Sequence, residues 1–183
     1  MQQILGAYVE RNGGQESLLV RFSTHAIPRP VRWQNSDLLA DFLAEYWATL
    51  LPAYAVPPER QDEITGAIGH VANELLENLV KFNYRPERNA ISLELSMHAH
   101  VLRFYATNAI DPQAIERFQG WIRQLLGEPS SELYEERTRH DQPGSGLLSL
   151  LNDHAARLAW KFERDPNDPQ LVLVTTMVEV EMK

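Results

Sequence analysis

The chain contains no cysteine. Disulfide scaffolding, thiolate catalysis and cysteine-based zinc sites are therefore excluded. It is also short of basic charge: 17 Lys and Arg stand against 25 Asp and Glu, for a formal net charge of −8. A general nucleic-acid-binding face needs lysines and arginines to replace counterions, and an anionic membrane surface attracts the same residues, so neither is expected as a partner. Long hydrophobic runs are missing too. The richest apolar window, "LLADFLAEYWATLLPAYAV", is interrupted by Asp41 and Glu45 and is too mixed to span a bilayer. The opening "MQQILGAYVERNGG" has no basic segment followed by a long apolar run, so no signal peptide is read there and a cytoplasmic protein is expected. No internal repeat or low-complexity segment is visible. What is present is 183 residues with 44% hydrophobic content, enough for one domain over residues 1–183 with a sizeable core.

Periodicity and turn residues order that domain. "QESLLVRFS", Gln15 to Ser23, reads as a short strand, and "THAIPRPVRWQNS" as a proline-broken connector. A helix is expected over 37–51, with Asn35, Ser36 or Asp37 as its N-cap, and another over 58–83. The period then changes to two. In "NAISLELSM", Ile91, Leu93, Leu95 and Met97 alternate with polar or small neighbours, the mark of a half-buried strand. "HVLRFYATNAI" is a second strand, with "HAH" as the turn between them. "DPQAIERFQGWIRQLLG" is a helix with Asp111 as N-cap and Pro112 at its first position. A polar loop follows, then a helix over 146–157, and the chain closes with "LAWKFER" and "QLVLVTTMVEVEM" as a hairpin around "DPNDP". Strands arriving in hairpin pairs need only short turns, and the helices then collect on one face. The expected fold is α+β: a two-layer α/β sandwich with a mixed or antiparallel sheet of about five strands.

Two stretches carry chemistry. In "IGHVANELLENLVKFNY", about 100° per residue puts Ile64, Ile68, Val71, Leu75, Leu79 and Phe82 in one stripe, the core face. Glu74 and Asn78 fall at one margin of it, roughly 40° apart. Lys81 lies on the same side, and Glu77 points further out. One helix edge thus offers a carboxylate, an amide and an ammonium at the boundary between core and outside. A solvated flank is the bland reading. Farther on, "DQPGSGLLSLLNDHAARL" sets Gly144, Ser145 and Gly146 directly before an apolar helix. Free backbone N–H groups and partial positive charge at a helix N-terminus suit a phosphate, and glycines allow its close approach. An ordinary loop-to-helix turn is the bland reading here. The spacing is not that of a Walker P-loop, nor does it follow a strand as a dinucleotide-binding loop does.

Taken in order, these stretches resemble the GHKL (Bergerat-fold) ATP-binding superfamily over residues from about 15 to 182. The likeness is nearest to the single-domain anti-sigma-factor serine kinases and the SiaB-type protein kinases of bacterial signalling. "NELLENLVKFNY" resembles the N-box. The resemblance implies ATP and Mg²⁺ as cofactors, Glu74 as general base, Asn78 as the Mg²⁺-coordinating amide, and Lys81 or Tyr84 near the phosphates. "PGSGLLSLLNDHAARLAWKFE" resembles the second glycine box, so that Gly144, Ser145, Gly146 and Leu147 would close the ATP lid, with 127–143 as the variable lid itself. Glu74, Asn78, Asn108 and Gly146 should then line one cavity. The sequence departs from the family at the first glycine box. In "RFYATNAIDP", Asn108 stands where the family carries an Asp that reads the adenine amino group, and no glycines follow. An amide carbonyl can still accept that hydrogen bond, without charge assistance.

The resemblance implies an Mg-ATP-dependent protein serine/threonine kinase acting on a small regulatory protein, such as a STAS-like antagonist. The alternative is a degenerate fold of the same family that works as a non-catalytic binding switch or sequestering protein. The oligomeric state stays open between monomer and homodimer. Other polar residues read as structural. His98 and His100 belong to a strand turn without an evident third ligand, and His70 sits near the polar face of the long helix. Ser149, Asp153 and His154 share one helix without a nucleophile elbow. Trp33, Trp47, Trp121 and Trp160 read as core or interface anchors.

Overall fold

The structure, a computed structural model, describes residues 2–23, 29–127 and 145–182. Six strands form one sheet: β1 (Gln2–Leu5), β2 (Glu16–Phe22), β3 (Ile91–His98), β4 (Val101–Ile110), β5 (Arg157–Arg164) and β6 (Val172–Glu181). Their order is β1-β5-β6-β4-β3-β2, and every neighbouring pair is antiparallel. The hairpins β3–β4 and β5–β6 supply the centre, because short connections at 99–100 and 165–171 let each strand pair with its sequence neighbour. The helices are α1 (Arg29–Ala48), α2 (Pro58–Phe82), α3 (Ile115–Gly127) and α4 (Ser145–Asp153), and they form the second layer of an α+β sandwich. No helix among the described residues is long and apolar enough to cross a membrane.

Alternation decides which face the helices cover. Leu93, Leu95, Phe104, Ala106, Val174, Val178, Leu158 and Trp160 point to one side, where Ile68, Leu75, Leu76 and Leu79 of α2 pack on them in a single buried cluster. α1 rests on α2 rather than on the sheet, through Leu43, Ala44 and Trp47. Gly69 faces Ala44 across this contact, where a Cβ would sit at an ordinary packing distance of 3.5 Å. α3 closes the far end, with Phe118 stacked on Trp121 and both set edge-on to Phe162 and Trp160 of β5. Trp47 and Trp160 are fully buried and Trp121 partly so; the side chain of Trp33 lies outside the described ones.

The opposite face of the sheet is covered by the chain's own N-terminus. Residues 6–14 cross it from β1, on one edge, to β2, on the other. Tyr8 and Val9 pack on Tyr105, Ala159 and Met177. The Tyr105 hydroxyl donates to the Val9 carbonyl at 3.1 Å, and Arg11 donates to Thr107 Oγ1 at 2.7 Å and lies 5.4 Å above the Tyr105 ring. Gly6, at φ +81°, starts the crossing where a Cβ would sit 2.9 Å from the Leu158 carbonyl. On the same face, buried Glu179 is held by Arg103 at 2.6 Å and by Arg157.

Several expectations need correction. β1 is absent from the sequence reading, because four residues, Gln2–Leu5, followed at once by Gly6 are too short to show a period. α1 starts at Arg29, eight residues before 37, and Ser36 is buried inside it rather than capping it. Pro30 falls in the first turn, where the N–H it lacks would be unbonded anyway, so the proline-rich stretch opens the helix instead of breaking the chain. Phe82 is 49% exposed and not part of the core; it is the last residue of α2 and borders an open cavity. Asp111 does cap, accepting from Gln113 N at 3.0 Å, but it caps a 3₁₀ turn, Pro112–Ala114, that precedes α3.

Candidate functional site

A cavity of about 630 Å³ lies between α2, the inner face of β4 and β6, α3 and the start of α4. That volume falls in the range of small-molecule sites. Its walls are mainly apolar: Leu75, Leu79 and Phe82 from α2, Ala106 and Ile110 from β4, Phe118 and Trp121 from α3, Leu147 from α4. The polar groups are few. Asn78, Asn108 and Thr176 come from three different elements, with Asp111 and the exposed Arg117 toward α3.

Both asparagines are held so that their carbonyl oxygens are the free ends. Asn78 Nδ2 donates back along the helix to the Glu74 carbonyl at 2.8 Å. Asn108, 8% exposed, donates through Nδ2 to the Ala109 carbonyl at 2.8 Å and the Phe82 carbonyl at 3.3 Å. Asn108 spends both of its N–H groups on these bonds and Asn78 one of its two, so each offers the cavity its carbonyl oxygen as an acceptor. Among the described residues no three His, Asp or Glu side chains converge as a metal cage. Asn78 Oδ1 fits a hard cation that takes most of its oxygen ligands from phosphates and water, as Mg²⁺ does. The Asn108 carbonyl fits the amino group of a flat base.

Glu74 and Gly146 are not in the wall. They meet beside it, next to Asn78 and Leu147: the Glu74 carboxylate presses against the Gly146 Cα so closely that any Cβ at 146 would overlap it. Burial pushes the Glu74 carboxyl above its ordinary 4.5; Glu77 adds to the rise, while His70 and Lys81 oppose it. His70 Nε2 stands 3.9 Å from Glu74 Oε1. The same ring bridges α2 and α4. Ser149 Oγ donates to the Gly146 carbonyl at 2.7 Å, which makes it the acceptor for His70 Nε2–H at 3.3 Å. His70 Nδ1 then accepts from His154 Nε2–H at 2.9 Å. This relay fixes the helix that carries Gly146 to the helix that carries Glu74 and Asn78.

No family model matches the chain, and no curated protein matches it either. Four chains of solved structures do match in shape. One belongs to the SiaB–SiaC complex from Pseudomonas aeruginosa, with a TM-score of 0.54 and 14% identity, over 90% of this chain and 89% of that one. At that identity the likeness speaks for a shared fold.

The other sequence-selected residues divide. Leu147 is in the cavity wall. Lys81 is exposed, over the Phe82 ring at 5.4 Å, and outside the wall. Tyr84 bonds through its backbone to Ala109 and does not line the cavity. Ser145 opens α4, whereas Gly144 and the expected lid, from 128 onward, lie outside the described residues. Sequence reading assigned no site role to Phe118 or Thr176 and took Trp121 only as an anchor; the fold brings all three into the cavity wall. Nor does the sequence suggest the His70–His154–Ser149 relay, in which His70 stands 79 and 84 positions from its two partners.

Proposed function

We propose that this chain is an Mg-ATP-binding regulatory protein of bacterial signalling that transfers a phosphoryl group to a serine or threonine of a small partner protein. The observation that carries the proposal is that Asn78, Asn108 and Leu147, from three separate elements, share one cavity with Glu74 and Gly146 meeting beside it. The fold likeness to a chain from a two-protein SiaB–SiaC complex supports a protein partner, and a STAS-like antagonist in the cytoplasm fits the resemblance. In this reading Asn108 Oδ1 accepts from the adenine amino group, and Phe118 and Trp121 wall the base. Asn78 Oδ1 serves as a magnesium ligand, and Glu74, with its raised pKa, takes the proton from the attacking hydroxyl. When bound, Mg²⁺ would neutralise charge on the phosphates.

A non-catalytic ATP-dependent switch is the second reading. It is favoured by the neutral Asn108 and by the position of Glu74, whose carboxylate packs on Gly146 outside the cavity wall. Two measurements separate the readings. Mg-ATP must raise the melting temperature, because a ligand that binds only the folded state stabilises it. Labelled γ-phosphate must then appear on a partner captured from the native host. A shift without transfer supports the switch, and no shift with ATP at millimolar concentration refutes both.

A further inference from the structure

α1 presents an unusual outer surface. Its buried side is spent on α2, yet Leu38, Phe42 and Tyr46 stand out to solvent at 66%, 52% and 36% exposure, with Val31 in line at 45%. Positions 38, 42 and 46 recur every four residues and form one ridge. From Val31 to Tyr46 it runs about 22 Å at 1.5 Å per residue. A second ridge lies beside it: Asp37, Asp41 and Glu45, all exposed, at the same spacing. No Lys or Arg occurs between Gln34 and Ala48. The neighbouring α2 exposes Glu59 and Asp62, and its Arg60 is engaged by Glu63 at 3.2 Å.

The charges select what can cover the apolar ridge. Two copies of α1 laid antiparallel about a twofold would place acidic ridge against acidic ridge, and four side chains fall short of the roughly 800 Å² per partner that a stable dimer needs. An anionic lipid surface would be repelled. We propose that this face of α1 docks a basic amphipathic helix of another protein, one that carries aliphatic side chains at i, i+4 flanked by Lys or Arg. The aliphatic groups would lie against Leu38, Phe42 and Tyr46, and the basic flank against Asp37, Asp41 and Glu45. This surface is on the far side of α2 from Glu74 and Asn78, and the inference does not depend on the nucleotide reading.

The test uses the full chain without nucleotide. An 18-residue fluorescein-labelled helical peptide with a leucine ridge and lysine flanks is titrated at about 0.15 M salt, beside a counterpart with glutamate flanks. Fluorescence anisotropy should show saturable binding of the lysine peptide alone. Leu38→Ser with Phe42→Ser should weaken it on the order of tenfold or more, as truncation of an aromatic anchor does. Asp41→Lys with Glu45→Lys should reverse the preference toward the glutamate peptide. All four positions are exposed, and circular dichroism checks that each variant keeps its fold. The inference is overturned if the lysine peptide does not bind, if both peptides bind alike, or if the charge reversal leaves the preference unchanged. It is also overturned if sedimentation shows a dimer that the Leu38→Ser, Phe42→Ser variant dissociates, because the ridge then belongs to a second copy.

Discussion

Replacing Asn108 by Asp would restore the acidic residue that the resembled family carries at this place, and the structure predicts that the restoration is costly. Asn108 Nδ2 donates to the Ala109 carbonyl at 2.8 Å and to the Phe82 carbonyl at 3.3 Å, in a site that is 8% exposed. A carboxylate at the same position loses both donors and turns an oxygen toward two carbonyl oxygens. The Ala109 carbonyl keeps a second donor, the Tyr84 N–H at 3.0 Å, so the Phe82 carbonyl and the new charge bear most of the penalty. A lost buried hydrogen bond with an unsatisfied group costs about 2 kcal/mol, which for a chain of this size lowers Tm by about 4–8 °C. The loss should depend on pH. Burial and the facing carbonyls raise the folded-state pKa of the new carboxyl. The native state then binds more protons than the unfolded one across that window, and stability falls as pH rises through it. Melting of Asn108→Asp against wild type should therefore show a smaller deficit at pH 5 than at pH 8. An equal or higher Tm at pH 8 would refute the anchored-amide account, and with it the claim that only an acceptor faces the cavity.

Four further outcomes are expected. Gly146→Ala should leave Tm within a few degrees, because the overlapping group is the mobile end of Glu74. It should nevertheless displace that carboxylate and lower phosphoryl transfer by a factor on the order of 10²–10⁴; unchanged transfer would remove Glu74 from the chemistry. Asn78→Asp should weaken Mg-ATP binding, measured by calorimetry, since it adds charge beside Glu74 and costs the 2.8 Å bond to the Glu74 carbonyl. For Glu74→Gln the sign follows from a carboxyl raised above 4.5: native Glu74 binds its proton more tightly than the unfolded chain does, so its ionisation erodes stability as pH rises past 4.5. The variant should melt higher than wild type at neutral pH, and the difference should shrink toward zero as pH falls below that value; a difference that grows in acid would contradict it. Arg103→Met leaves buried Glu179 with Arg157 as its remaining partner and should cost about 3 kcal/mol in a denaturant titration.

Secondary structure that has a period is legible in the sequence. Ile91 to Met97 alternate and Ile64 to Leu79 recur at helical spacing, so β3 and α2 could be read locally, and paired strands with short turns implied an antiparallel sheet with its helices on one side. It also placed Glu74 and Asn78 one turn apart, because that relation is internal to a single helix. Whatever depends on non-local contact was set by folding alone. β1 exists because Gln2–Leu5 finds the edge of β5, and the segment after it covers the outer face because Tyr105 and Met177 are there to receive it. The cavity joins α2 to β4, β6 and α3 across as many as 100 residues of chain, and no pattern in one segment encodes which side chains of another will face it. Asn78 and Asn108 were visible as amides, but which end each presents was fixed by the carbonyls of Glu74, Phe82 and Ala109, which only the folded backbone brings within hydrogen-bonding distance.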